Sequence, residues 1–590
     1  MCEKNSGGFV SVATELLNSG MYADTKAYLC GDVPGSSIFS HGWDLVLPAV
    51  TALEKESDAG SNEGVALCED VLREVVRRGN PKEVMVSLLE HLALVKSSGG
   101  FELVLECFQE LLRKLPGNKV KFLEWGLESF YGYVARLPNP ENHNLEDEEV
   151  ALLDADPAVR KISRSLEAMT TLLASCVNSA ARGGQATTPG CGQATVEQQL
   201  LLKYSIKFLG RVSVLDITSH PNKAKSAVRL CTEKLVNQIT KLSKDLVVLC
   251  LHKVTELKDH ELAHEDDKDE KEFVAPISRA VLAYLIFVEC LEPDHVPLVY
   301  SSRYLFEENL KGILLLLSEN YGVVVSKGVA LSACLVSRLE FCQYCSLDLD
   351  NSDFTALFLC LNKVMIGCPL RAVREGAQKV VVDFFQCFDS AARCALYCRL
   401  LQVEKHAGLC GFLLDLFRKD LHESLVAVVP NNPFVGNNFV QLLKLVCKLP
   451  EQEHTDLLDN SDCILAVLNL LRYFATVMQQ HAQDNPTTCL SVCTIAEAYT
   501  EDVKKFLDLT RAHYKLELDR NKDRVKMSSR PANSTSLSKG DSLFPSLPPD
   551  QEAEVLKVAL VRLDLLESVL VLAQEKIGAY SAKSASRNCD

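Results

Sequence analysis

Apolar residues along this chain recur at spacings of three and four, the signature of helices with one greasy face. Between residues 62 and 96 the grain is clearest. Leu67, Cys68, Val71, Leu72, Val75 and Val76 form one stripe, while Glu69, Asp70, Arg73, Glu74 and Arg77 fall on the other side. Gly79 ends that helix. Asn80 suits a cap for the next one, Pro81 its first position, where no amide donor is needed, and Glu83 the capping-box position. Val84, Leu88, Leu89, Leu92 and Val95 supply a second stripe, so the two helices make an antiparallel pair in which neither can bury its stripe alone.

The same grain returns in other words. Phe101 to Leu115 and Val120 to Leu137 form another pair, split by Pro116-Gly117, and Val323 to Phe341, Phe354 to Met365, Ala372 to Phe388 and Leu409 to Val429 read alike. No strict sequence period is present. A helix-turn-helix grain of roughly 40 residues per unit matches degenerate HEAT or armadillo stacking. The expected fold is therefore all-α, an α-solenoid of irregular HEAT/armadillo-like repeats. Such stacks offer an open groove rather than an enclosed pocket, which favours gripping another protein.

Three segments break the grain: a flexible loop over 180–195, rich in Gly, Ala and Thr; a dense charge run over 260–272; and a linker over 527–549. The main division is placed near residue 273, giving an irregular helical-repeat region over 1–272 and a more regular, partner-binding one over 273–590. Beyond the linker, residues 550–578 resume a strong pattern through Leu556, Leu560, Leu563, Leu566 and Leu570, as expected of a terminal helix that docks back onto the preceding repeats.

Composition sharpens this picture. Of 590 residues, 47% are hydrophobic and 24% charged, an ordinary globular balance. Gly 29 and Pro 21 are few for this length, which favours long uninterrupted helices. A formal charge of −16 argues against nucleic acid and anionic membranes as general partners. The 23 cysteines are odd in number, irregularly spaced and mostly set in apolar runs, so they read as small core residues in a reducing compartment. Met1 to Asn5 lacks a signal pattern, and the strongest apolar run, Ala280 to Val288, is about half the length of a membrane span. A cytoplasmic protein without membrane insertion is the expectation.

Few residues suggest catalysis. His260-Glu261-Leu262-Ala263-His264 matches H-E-x-x-H, which on a helix would give two zinc ligands and a general base. Glu265, Asp266, Asp267, Asp269 and Glu270 follow at once, and no third ligand stands out, so a solvated acidic loop is the better reading and a zinc peptidase is disfavoured. Cys342-Gln343-Tyr344-Cys345 is a lone C-x-x-C without the second pair that structural zinc needs. Asp348, Asp350, Ser352 and Asp353 begin like an EF-hand loop, but Asp353 stands where glycine should and Leu359 where the bidentate glutamate should. A helix cap fits better. No phosphate loop, dinucleotide fingerprint, nucleophile elbow or kinase signature is present. We expect no enzyme, no metal site and no cofactor. Scarce cations are more informative: Arg418 and Lys419 close a helix, Arg371 and Arg374 open one, and Arg472 adjoins Tyr473. On a concave face such groups anchor a protein partner; elsewhere they merely favour helix ends and solvated faces.

Several phrases together resemble the glomulin family. They are Gly42-Trp43-Asp44-Leu45-Val46, Asn80-Pro81-Lys82-Glu83, Val325-Ser326-Lys327-Gly328, Asp456 to Asp462, Leu468 to Tyr473, Ala512-His513-Tyr514, Leu547-Pro548-Pro549 and Asp564 to Leu570. Their order and spacing match over nearly the full length, and least well over 140–272. The resemblance implies a HEAT-like protein, not an enzyme, that binds the RING domain of the RING-box subunit of cullin-RING ubiquitin ligases, and through it cullins. It masks the surface where the ubiquitin-conjugating enzyme docks. The resemblance also implies an immunophilin and a receptor tyrosine kinase as partners, which map onto no residues here. It assigns the gripping surface to the C-terminal half, where the expected contributors are Arg418, Lys419, Arg472, Tyr473, His513 and Tyr514, with Leu566 and Glu567 of the closing helix. Core packing is the rival role for Tyr473, Tyr514 and Leu566. The alternative function is a helical-repeat scaffold or adaptor for another protein.

Overall fold

Ser61, Asn80, Ser97 and Asp389 each turn a side-chain oxygen onto the free backbone N–H groups of the helix that follows, so the helix starts are written locally in the sequence. The computed structural model describes residues 8–115, 117, 119–139, 155–183, 195–215, 225–251, 276–427, 432–449, 455–478, 486–528 and 549–587. Among these residues there is no strand, only one isolated parallel bridge between Tyr344 and Phe388. The fold is the all-α helical-repeat type that the periodicity implied.

The chain divides into two compact units: Met1–Leu339 with Lys363–Val380, and Glu340–Asn362 with Val381–Asp590. The division expected near 273 falls among residues outside those described. The first unit begins with α1 (Gly8–Asn18), α2 (Tyr22–Gly31), α3 (Gly35–His41), α4 (Val46–Ala59), α5 (Asn62–Arg78) and α6 (Pro81–Glu90). It continues through α7 (Ser98–Lys114), α8 (Val120–Arg136), α9 (Pro157–Gly183), α10 (Val196–Val212), α11 (Ala227–Leu242) and α12 (Leu246–Cys250). Next come α13 (Pro276–Phe287), α14 (Ser302–Leu317) and α15 (Gly322–Val336). The helices α16 (Ser352–Gly367) and α17 (Arg371–Gln386) each hold residues of both units. Wholly in the second unit are α18 (Ser390–Val403), α19 (Ala407–Val426), α20 (Asn437–Val446), α21 (Ser461–Met478), α22 (Pro486–Ser528) and α23 (Pro549–Arg587).

In the first unit, the turn after α5 follows the expected chemistry at Asn80 and Pro81, while Glu83 makes no capping box. Asn80 accepts from Lys82 N–H at 3.2 Å, and Pro81 opens α6. Gly79 is needed there, since a methyl group would lie 2.6 Å from Val84 Cγ2 and 2.7 Å from the Val75 carbonyl. The second helix is shorter than its stripe suggested: α6 stops at Glu90, and a 3-10 turn over Leu92–Leu94 carries Leu92 into the core while Val95 follows it in. The buried Glu54 carboxylate of α4 explains this break. It accepts from Lys96 N–H at 2.9 Å, Ser97 N–H at 3.0 Å and the Ser97 hydroxyl at 2.7 Å, fixing the start of α7.

The second unit is threaded by aromatic rings. Tyr344, fully buried, meets Phe354 at 4.9 Å and Phe388 at 5.4 Å between centroids. Phe358 meets Phe385 at 4.9 Å, which stacks on Tyr397 at 4.7 Å. The row then runs from Tyr397 to Phe417 (5.4 Å), Phe417 to Phe439 (6.1 Å), Phe439 to Phe474 (4.2 Å) and Phe474 to Tyr580 (6.2 Å). Contacts of this geometry add about 0.5–1.5 kcal/mol each beyond area burial. They join α16, α17, α18, α19, α20, α21 and α23 in one sequence. The C-x-x-C segment serves this row: Tyr344 N–H donates to Cys387 O at 2.9 Å, and Tyr344 O accepts from Asp389 N–H at 2.8 Å. Asp348 accepts from Cys345 N–H at 2.8 Å and Asn351 from Asp353 N–H at 3.0 Å, so the EF-like run is turn and helix-start chemistry, as expected.

Phe417 sits at the middle of the row, wholly buried against Tyr397, Phe434 and Phe439. Phe417→Ala is expected to cost the second unit about 3–5 kcal/mol in urea unfolding. Hydrogen exchange should rise in α18 to α21 together; a loss below about 1 kcal/mol would show that the rings do not support the stack.

Candidate functional site

The site is a groove between α19 and α21 in the second unit. Gly408, Gly411, Asp415, Arg418 and His422 recur every three or four positions on α19, and Asp462, Leu465, Asn469, Arg472 and Thr476 do so on α21. Each set therefore lies along one face of its helix, over about 21 Å at 1.5 Å per residue. Two hollows occupy this path. One, of about 510 Å³, is lined by Asp415, Arg418, Asn469, Arg472, Tyr473 and Thr476. The other, of about 750 Å³, includes Lys405, His406, Asp459, Asp462, Leu465 and, from α23, Arg562 and Leu565.

The opposite faces of both helices explain why these residues are left outward. Leu413, Leu414, Phe417 and Leu421 of α19, and Ile464, Val467, Leu468, Leu471 and Phe474 of α21, are buried. A buried polar contact anchors α19 from behind: Asp420 takes Arg393 Nη1 at 2.6 Å and the Tyr397 hydroxyl at 2.8 Å. Burial raises the Asp420 carboxyl above the usual range despite the opposing pull of Arg393 and Tyr397. At the turn entering α21, Asp456 accepts from Leu458 N–H at 2.8 Å and Asp459 N–H at 3.1 Å. The phrase Asp456 to Asp462 thus shapes one end of the groove.

At the other end the candidates Arg418, Arg472 and Tyr473 come together. The Arg418 guanidinium donates to Asp415 at 3.1 Å and 3.3 Å. Tyr473 OH lies 2.8 Å from His422 Nδ1, with the two rings nearly perpendicular at 74°. Partial burial raises the Tyr473 phenol, and nearby Arg418 works against that rise. Neither Arg472 nor the exposed Lys419 has an ion-pair partner among the described residues.

His513 and Tyr514 lie elsewhere, on α22, with ring centroids 5.9 Å apart. His513 is exposed, whereas Tyr514 is half-buried and its phenol is raised by burial and by Asp456 and Asp459. On α23, Leu566 is only 1% exposed, which places it in the helix packing, the rival role named for it. Glu567 binds Arg511 of α22 at 2.6 Å, a bond shared with Asp564 at 2.8 Å. The outward residue is the neighbouring Leu565, 57% exposed and lining the groove. Sequence reading missed Lys405, His406, His422, Leu465, Arg562 and Leu565. The row 462–465–469–472–476 was visible as a spacing, but only the packed structure tells an outward polar face from a solvated one.

The H-E-x-x-H lies outside the described residues. Among those described, no three His, Cys, Asp or Glu side chains are placed to hold a metal ion, and no helix is long and apolar enough to cross a membrane. An open groove of paired charges and leucines on stacked helices defines a protein-binding helical-repeat scaffold. The comparisons agree with that class. Residues 40–567 match the model of the family described as YAP/Alf4/glomulin, and the chain belongs to this family. It is 27% identical to mouse glomulin over 560 residues, 93% of this chain and 90% of the relative. Human glomulin is 26% identical, over 93% of this chain and 89% of its own. The resemblance read from the scattered phrases is therefore borne out. The crystal structure of SYS-1 aligns with 85% of this chain and 82% of its own, but at 11% identity and a TM-score of 0.18 it carries no argument.

Leu566→Ala should destabilise the α22–α23 packing by about 2–5 kcal/mol. Arg511→Ala, which removes only a partly exposed ionic tie, should leave the unfolding midpoint nearly unchanged. Hydrogen exchange along α23 reads both, and equal effects would refute this division of roles.

Proposed function

We propose that the protein masks the RING domain of the RING-box subunit of cullin-RING ubiquitin ligases, blocking the docking of the ubiquitin-conjugating enzyme. Membership of the glomulin family supports this reading, and the observation that carries it is the groove of Arg418, Arg472, Lys405 and Arg562 interleaved with Leu465 and Leu565. A RING's docking face is a shallow apolar groove over its zinc loops, which conjugating enzymes meet with apolar tips and cations. A competitor needs the same chemistry on a surface already in shape.

Stacked helices supply that shape before the partner arrives, so little ordering entropy opposes binding. An interface of the standard size, about 1,600 Å² in total, can reach nanomolar affinity with good anchors. In this proposal Arg418, Arg472 and Tyr473 anchor one end and Leu565 with Arg562 the other. Lys419, His513 and Tyr514 contribute at the margin, while Leu566 acts by holding α23 in place and the partly exposed Glu567–Arg511 tie adds little to that packing. Inhibition is competitive and uses no chemistry of its own. A cytoplasmic location belongs to the same proposal.

Titrating the protein into ubiquitin-chain synthesis by a neddylated cullin ligase should suppress transfer in proportion to occupancy of the RING-box subunit. Transfer undiminished in the presence of excess protein would end the proposal. The charge reversals Arg418→Glu and Arg472→Glu should each weaken binding at least about tenfold, the effect of losing an interface anchor worth 1.4 kcal/mol or more. Unchanged affinity in a folded variant would remove that residue from the site.

A further inference from the structure

The closing helix carries two rows of apolar residues, and its own chain covers one of them. Ala559, Leu563, Leu566, Leu570 and Ala573 of α23 alternate at spacings of four and three and are 7% exposed or less, where α23 packs against α21 and α22. That alternation averages 3.5 residues, the period of a helix wound against a neighbouring helix. The second row is Val555, Val558, Arg562, Leu565, Val569 and Leu572, which repeats in the same period. Val569 is half-buried, while Val555, Val558, Leu565 and Leu572 are 44–58% exposed. Because the inward row fixes the winding of α23, the outward row stays straight over about 26 Å, at 1.5 Å per residue. Its middle, Arg562 and Leu565, lines the larger hollow, so the row continues the groove along α23.

We propose that this outward row docks one amphipathic helix of a partner protein, with a carboxylate at the middle of its apolar seam and Lys or Arg at both ends. The period selects a helix, since another helix sets its own side chains into such a row every 3.5 residues. The charges select its composition. Arg562, exposed, is the charged member of the row and stands near its centre, where an opposing Asp or Glu would meet it among valines and leucines. The flanking positions on the open side are Glu554, Val561, Ser568 and Glu575, so exposed carboxylates stand beside the two ends and favour cations there. A second copy of this chain fits badly. Two copies in parallel would oppose Arg562 to Arg562. Antiparallel about the centre of the row, they would set Glu554 beside Glu575 and bring the two arginines together across the axis. Like charges in those places oppose association. Through Arg562 and Leu565 the row is shared with the masking groove, and to that extent this inference rests on the function proposed above; Val555, Val558 and Leu572 do not line the hollow.

Two synthetic peptides of about three heptads provide the test, both with leucines along the seam. One carries a central Glu with Lys at each end, the other a central Lys with Glu at each end. Fluorescence anisotropy with the full chain should show the first binding at least about tenfold more tightly than the second, and Arg562→Glu should reduce that preference at least about threefold. Val558→Glu and Leu572→Glu should each weaken the first peptide at least about tenfold, with circular dichroism showing that helix content is kept. No binding of the first peptide, equal binding of the two, full binding by both row variants, or a dimer in sedimentation that Val558→Glu dissociates would each overturn the proposal. The wild-type comparison decides even if a variant fails to fold. The ubiquitin-chain assay keeps the two readings apart: suppressed transfer without peptide preference removes the docking helix alone, and peptide preference with undiminished transfer removes the masking alone.

Discussion

Every wall of the groove stands on the row of rings that runs from Tyr344 to Tyr580. Each ring belongs to a different helix from at least one neighbour, so the row sets the spacing of α18, α19, α20, α21 and α23 all at once. Large flat side chains suit this task because they bury much area with few rotatable bonds and hold defined angles against one another. A stack built from leucines alone would be as greasy but less sharply registered. The outward residues inherit their geometry from this inward row: Arg418 is next to Phe417, and Arg472 and Tyr473 precede Phe474.

Polar groups refine what the rings set. Asp420 is drawn inward by Arg393 and Tyr397, which pins the turn of α19 that carries Arg418 and His422 outward. Asp456 folds the approach to α21 from within. Neither contact needs to add much net stability, because removing charge from water offsets most of the attraction. Their effect is on placement. The hollows set Arg418, Arg472, Lys405 and Arg562 beside the carboxylates of Asp415, Asp459 and Asp462, so the groove presents mixed charge.

Much of this was legible beforehand. The stripe and cap around Asn80, the helices following Ser352 and Arg371, and the closing helix after the linker all follow from spacing, because a period of 3.6 is imposed by the helix itself. The errors share a cause. α6 ended early because Glu54, distant in sequence, claims the Lys96 and Ser97 amides. α22 runs for 43 residues, its length supported by α23 packing alongside. The C-x-x-C drew notice for its sulfurs, whereas the residue that matters structurally is Tyr344 between them.

The sequence by itself determined the fold class, the helix starts and the apolar face of each helix, because these depend on residues within a turn or two of one another. The phrases it shares with glomulins placed it in its family for the same reason: they survive as short local words. Only the tertiary structure decided that Leu565 faces out while Leu566 faces in, and that Arg562 reaches the groove from another helix. Those outcomes depend on which stripe packs against which, and residues far apart in the chain settle that by excluding one another's volume.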